Sequence, residues 1–435
     1  MAQTIRFGTT KFEELPALLQ MNPEDLESKK ARLFPKGNSE HETSVVSIFL
    51  ASLSAVKEYR EELFLSIGIN KIKTRNVNIY IYVEIQDGNK ENRPDGLVVI
   101  TSGKNPIIEW AGIIEAKIGD HILDKNQIDR YADFADNLGI KDIITISNQL
   151  VTTPMNSPIK LRRTKFKLYH WSWTYLKVIA QRLIRTDSVE DTDHIYILSE
   201  LRRFFDDNRS LKNFINMGAE WKNSANDIYC HNEKQKIKSD ILDNILIPYI
   251  QEEKDNSLQL TDKTSHYIEL IAKDDRVEEI TQMLQEKKII TSKYMIDRDK
   301  HNTFNVEADF KGLSIKCSTS FEISKGKAQA QTTSLLKMLE NDSGYPEGIF
   351  INAIYPRNKY LSKTGISLSK LIDERNDITN TQYSILDKSL GDTVKYFEIY
   401  TINIIGKRFH GNKTFIDDFE AYSERFLNQV MEYIS

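Results

Sequence analysis

Residues 91–120 read ENRPDGLVVITSGKNPIIEWAGIIEAKIGD. Two apolar runs flank the turn-forming SGKNP, so the stretch predicts a β-hairpin. Its charges are out of keeping with a plain scaffold. Alternation along the second strand puts Ile113, Glu115 and Lys117 on one face and Ile114, Ala116 and Ile118 on the other. Glu115 and Lys117 then stand side by side, roughly 7 Å apart at their Cα atoms. Asp95 begins the first strand, and an antiparallel turn brings it opposite Glu115. Two carboxylates so placed repel unless something positive lies between them. A hard divalent cation meets that need: Mg²⁺, with Mn²⁺ as a substitute, binds through one or two carboxylates plus phosphate and water. A lysine beside it can orient or deprotonate water and offset charge growing on a phosphate.

Working outward, residues 37–68 predict one long helix, with Val45, Phe49, Leu53 and Val56 recurring at helical spacing and Ser39 with Glu42 as a capping box. Residues 76–88 alternate and are rich in Ile, Val and Tyr, a strand that precedes the hairpin. A helix follows over 124–139, with Ile128, Tyr131, Phe134 and Leu138 on one side and Gly139 as its stop. Strands over 140–150 and 166–171 and a helix over 172–184 complete the order. The result is an α/β domain with a mixed sheet.

Pro94-Asp95, followed twenty residues later by Glu115-Ala116-Lys117, resembles the PD-(D/E)xK nuclease superfamily. Gln127 and Tyr131, one turn apart on the next helix, resemble the Q-x-x-x-Y element of its RecB-type branch. The resemblance covers about residues 38–185 and implies a restriction-endonuclease-like αβββαβ core. It implies that Asp95, Glu115, the Ala116 carbonyl and Glu42 (with Glu40 second) hold Mg²⁺. It further implies that Lys117 assists the attacking water, and that Gln127 and Tyr131 hold the active strand near the nucleic-acid backbone. The activity implied is hydrolysis of DNA, with RNA left open, by an endonuclease of restriction, phage defence or repair. The alternative is a nucleic-acid-binding or sensor protein that keeps the fold without cutting. Each residue also has a plainer reading: Asp95 as a turn residue in Pro-Asp-Gly, Glu115 with Lys117 as a surface ion pair, Tyr131 as core and Glu42 as a helix cap.

Residues 158–173, PIKLRRTKFKLYHWSW, interleave Lys160, Arg162, Arg163, Lys165 and Lys167 with Tyr169, Trp171 and Trp173, a pattern that suits a backbone-tracking groove. Arg130 is a further phosphate candidate, against its reading as an exposed helix arginine. A charged edge strand with core aromatics is the plainer reading of the stretch.

The 435 residues predict several domains: a polar leader over 1–37, the nuclease-like domain over 38–186, a mainly helical charged region over 187–300, and a C-terminal α/β domain over 301–435 for binding, regulation or dimerisation. In the last, Asp309, Lys316 and Gln331 loosely echo the first domain's site, with Ser314 in place of the glutamate. The competing reading is an unrelated α/β domain. A net charge of −4 argues against a uniformly basic coat for nucleic acid but leaves a local basic groove open. Two isolated cysteines suit a reducing cytoplasm, and no apolar run approaches the ~18 residues of a membrane span. The eight histidines form no zinc-hydrolase motif, and no P-loop occurs. A motor or activator would therefore be a separate protein. Paired scission of a duplex would call for a homodimer.

Overall fold

Runs of β-branched and aromatic residues between turn residues form the strands of the first sheet. In the computed structural model these are β1 (Val77–Val83), β2 (Gly96–Ser102), β3 (Ile107–Ala116), β4 (Asp142–Ser147) and β5 (Lys167–Ser172), lying in that order. The first three make an antiparallel meander with Gly96 opposite both Val83 and Ile114. β4 then joins β3 in parallel and β5 joins β4 in parallel. The structure describes residues 4–29, 41–74, 76–85, 93–162, 165–211, 214–232, 235–273, 275–322, 326–340, 345–356, 365–390 and 394–434. They divide into two units, Met1–Asn213 and Phe214–Ser435.

The helices of the first unit are α1 (Leu15–Leu18), α2 (Pro23–Ser28), α3 (Glu42–Ala55), α4 (Lys57–Ser66), α5 (Lys125–Leu138), α6 (Trp173–Arg185) and α7 (Thr192–Asp207). α5 makes the parallel crossover from β3 to β4. The Asp124 side chain accepts from the Asn126 N–H at its start. It stops at Gly139, whose φ of +78° and close approach to the Ile5 carbonyl leave no room for a Cβ. Its apolar side packs on Leu97, Val99, Ile113 and Ile143, one face of the sheet. On the other face Phe49 of α3 and Phe64 of α4 meet Trp171 edge-on, and Phe64 also meets Trp110.

Several expectations are corrected here. The long helix is broken at Val56, whose extended backbone (φ −96°, ψ 108°) separates α3 from α4. α3 starts at Glu42 after His41, which offers no side-chain cap. Ser39 and Glu40 lie outside the described residues. The stretch expected as a polar leader belongs to the first unit. Its Ile5 N–H donates to Leu138 O (2.6 Å) and its Gly8 N–H to Ile108 O (2.8 Å). Leu15, Leu18, Leu19 and Leu26 are buried with the α5 face of the sheet. The region 187–300 is not one helical domain. α7 buries Leu198, Leu201 and Phe205 in the first unit, and strands begin well before residue 300.

The second unit contains α8 (Trp221–Cys230), α9 (Ser239–Lys263), β6 (Ile268–Ile271), α10 (Arg276–Lys287), β7 (Ile289–Ile296), β8 (Asp299–Asp309), β9 (Ser314–Phe321), α11 (Ala328–Met338), β10 (Ile349–Ile354), β11 (Ile366–Ser367), α12 (Leu368–Asn376), β12 (Tyr396–Ile404) and α13 (Thr414–Phe426). Its sheet runs β11-β10-β12-β9-β8-β7-β6, and every pairing is antiparallel. The echo of the first site is one of order, not of geometry. Asp95 lies at the open end of its hairpin, whereas Asp309 lies at the turn between β8 and β9, where its Oδ1 accepts from Lys311 and Gly312 N–H. Lys316 is engaged by Glu398 at 2.9 Å, and Gln331 is buried.

Candidate active site

β2 and β3 bring Asp95 and Glu115 to the open end of their hairpin. The register that sets Gly96 against Ile114 puts Asp95 across from Glu115. Asp95 is fixed by the backbone, since its Oδ2 accepts from Ala116 N–H at 2.8 Å. Glu115 is 1% exposed. Its Oε1 takes the Lys117 ammonium at 2.6 Å, and its Oε2 has no hydrogen-bond donor among the described residues. Lys117 Nζ also reaches the Ala116 carbonyl and Glu42 Oε1, both at 3.1 Å. Glu42, at the first position of α3, thus enters the site through the lysine. Gln127 Nε2 donates to the Tyr131 hydroxyl (2.9 Å), and that hydroxyl donates to Arg93 O (3.1 Å), two residues before Asp95. Asp95, Glu115, Lys117, Gln127, Tyr131 and Glu42, which the resemblance groups together, form one cluster.

Burial pushes the Glu115 carboxyl up, and the neighbouring Asp95 pushes it further. Asp95 is raised too, by burial first, with the Ala116 N–H partly offsetting it. Burial alone would lower Lys117, but Glu115, Asp95 and Glu42 together outweigh it and hold the ammonium above the usual lysine range. Tyr131 is raised by burial and by the charge on Glu115. Excess negative charge is packed where one more cation would relieve it.

The basic stretch is partly engaged within the unit. Lys165 pairs with Asp136 of α5 at 2.5 Å, and Arg162 lies 3.9 Å from Asp129 on the same helix. Both charges are met within the unit. Lys160, Lys167 and Arg130 are exposed, and Arg163 lies outside the described residues. Tyr169, Trp171 and Trp173 are buried core, so they offer no stacking platform for bases. The sequence reading missed two residues that contact the site strand's continuation. Trp173 Nε1 donates to Lys117 O, and Asn148 Nδ2 donates to Gly119 O. The signal for Asn148 was its place just past the fourth strand, which runs parallel to the site strand and ends beside it.

The chain matches no family model, no curated protein and no solved structure. Among the described residues no helix is long and apolar enough to cross a membrane. Among them, too, no group of three or more His, Cys, Asp and Glu side chains is arranged for a metal.

Proposed function

We propose that the first unit is a metal-dependent nuclease of the PD-(D/E)xK type that hydrolyses phosphodiester bonds of DNA. The observation that carries this reading is the juxtaposition of Asp95, Glu115 and Lys117, with Tyr131 and Gln127 tying down the strand before Asp95. The donor set fits Mg²⁺, which needs only one or two carboxylates besides phosphate and water. Asp95, Glu115 through its Oε2, which has no hydrogen-bond partner among the described residues, and the Ala116 carbonyl would hold it. A bound divalent cation supplies polarisation of the phosphate and a lowered pKa for its water. With Glu115 and Glu42 beside it, Lys117 stays an ammonium at neutral pH. Its part is therefore to donate hydrogen bonds and offset charge on the phosphate, rather than to accept a proton. Restriction or phage defence is the setting this reading favours.

Purified protein incubated with plasmid, linear duplex, single-stranded DNA and RNA is expected to cut DNA with Mg²⁺ or Mn²⁺ and not in EDTA. Lys117→Ala should lose on the order of 10²–10³-fold in rate, as for removal of one transition-state donor. Equal rates for the two proteins would sink the catalytic reading. So would binding without cleavage on every substrate, which would favour a sensor.

Metal binding should also show in stability. Asp95 and Glu115 titrate above their unfolded values, so they favour the fold when protonated. That contribution is lost as pH rises through the raised folded values, above the ordinary carboxylate range. A cation competes with those protons, so its stabilisation grows in the same direction. The rise in melting temperature on adding Mg²⁺ is expected to be larger at about pH 8.5 than at about pH 6. A rise that shrinks with pH would argue against a carboxylate-held cation.

A further inference from the structure

Both peptide groups that flank the Lys117 Cα are held. Its N–H donates to Ile146 O of β4 at 2.8 Å, which continues the parallel pairing past the end of β3. Its carbonyl accepts from Trp173 Nε1 at 2.8 Å. Two residues further on, Asn148 Nδ2 donates to Gly119 O and to Ser210 O, each at 2.9 Å. Gly119 N–H donates to the same Ser210 carbonyl at 2.8 Å. Ser210 is itself set by its N–H donating to the side chain of Asn208, the residue that ends α7. Trp173 cannot swing away, because it is 1% exposed and meets Phe49 and Phe205 edge-on. The chain leaving α7 and the ends of β3 and β4 are thus tied at one point, four residues before Phe214 begins the second unit.

A lysine side chain has four rotatable bonds, so its ammonium reaches a reproducible place only if its Cα–Cβ vector is fixed. We infer that Trp173 and Asn148 are positioning residues for Lys117, and that α7 with residues 208–211 serves the catalytic strand rather than merely extending the unit. The inference rests on the nuclease reading, because it assigns these groups to that site's lysine. Neither residue touches the carboxylates. Their effect passes through the backbone of residues 117–119.

The test uses the full chain with Trp173→Phe, which keeps an aromatic ring in the core but removes the indole N–H with its fused ring, and Asn148→Leu, which keeps the number of side-chain heavy atoms and removes the donors. Asn148→Ser is the milder alternative should the leucine disturb folding. Each is expected to lower kcat on the order of 10–100-fold with KM within about 2-fold, as for a catalytic group displaced by a fraction of an ångström to 1 Å. The double variant should lose less than the product of the two, because both act through one backbone segment. Hydrogen exchange at the Gly119 amide should quicken about 10-fold or more in Asn148→Leu or Asn148→Ser. Unchanged Gly119 exchange would overturn the clamp whether or not the protein cuts DNA. Unchanged kcat in every variant, with wild type far faster than Lys117→Ala, would overturn the positioning role alone. Wild type no faster than Lys117→Ala would overturn the nuclease reading and the catalytic half of this inference with it.

Discussion

Glu115→Gln is expected to abolish cleavage and, at alkaline pH, to stabilise the metal-free protein. The loss of activity should be on the order of 10³-fold or more, about 4 kcal/mol of transition-state stabilisation at 1.36 kcal/mol per decade. The amide removes a charged oxygen that has no hydrogen-bond donor among the described residues and that would face the cation. The gain in stability follows from the same surroundings. Glu115 has an attractive partner in Lys117 at 2.6 Å, yet burial and Asp95 still drive its carboxyl upward. The net environment therefore disfavours its ionised form. A neutral residue of the same shape is relieved of that penalty wherever the glutamate would be ionised. Below the unfolded carboxylate range Glu115 is protonated in both states, and the substitution should be nearly neutral there. Above the raised folded value the gain should be on the order of 1 kcal/mol, a rise of roughly 2–4 °C in melting temperature for a unit of this size. Melting curves at about pH 3.5 and about pH 8.5 without metal would show it. A loss at both pH values would mean that the ion pair with Lys117 outweighs burial and repulsion. Such opposition between stability and activity is what a site built for a cation implies.

The readable parts of this site are those set by local rules. Alternation alone places Glu115 and Lys117 on one face, and helical spacing alone places Gln127 and Tyr131 on one side of α5. The element order was legible because each strand is an Ile, Val or Tyr run closed by turn residues. What escaped was decided at long range. Leu15, Leu18, Leu19 and Leu26 lie among prolines and polar residues, and only the sheet they cover reveals them as core. Arg162 and Lys165 read as unpaired basic residues because their partners, Asp129 and Asp136, are about thirty residues earlier on a helix that runs alongside. Trp173 reads as one more core aromatic, and its N–H finds the Lys117 carbonyl across 56 residues of chain. Strands β6 and β7 were hidden within a charged region because short half-buried strands leave little apolar signal; β7 alternates buried with half-buried or exposed residues throughout.

The same limit applies with more force to Arg276, which sits in the charged DDRVEE run of residues 274–279 and looks like solvent-facing polarity. It is 9% exposed and lies over Glu253, which is fully buried near the middle of α9. Its Nε and Nη2 take the two Glu253 oxygens at 2.9 and 2.5 Å, Nη1 takes Glu279 at 2.7 Å, and Nη2 also donates to Thr291 O at 2.8 Å. Ser292 Oγ donates to Glu253 Oε2 at 2.7 Å, and the Tyr294 hydroxyl donates to the Glu253 carbonyl at 3.1 Å. The planar fork of arginine meets two carboxylates and a strand carbonyl at once, a geometry that lysine cannot reproduce. Arg276→Ala leaves Glu253 charged in the interior of the second unit with only Ser292 as a donor to its carboxylate among the described side chains. The expected cost is about 3–5 kcal/mol, the range for breaking a buried pair from one side. Arg276→Lys should recover only part of it. Replacing both members, Arg276→Met with Glu253→Leu, should cost far less than Arg276→Ala alone, because no charge is then left without its partner. Urea unfolding of the three variants measures this directly as shifts of midpoint at constant slope. If Arg276→Ala cost under about 1 kcal/mol, water would have to reach Glu253 readily, and the network would be a surface feature of little energetic weight. If the double replacement proved as damaging as Arg276→Ala, the network would instead be needed to place α9 and α10 against β7, a role of specificity rather than charge compensation.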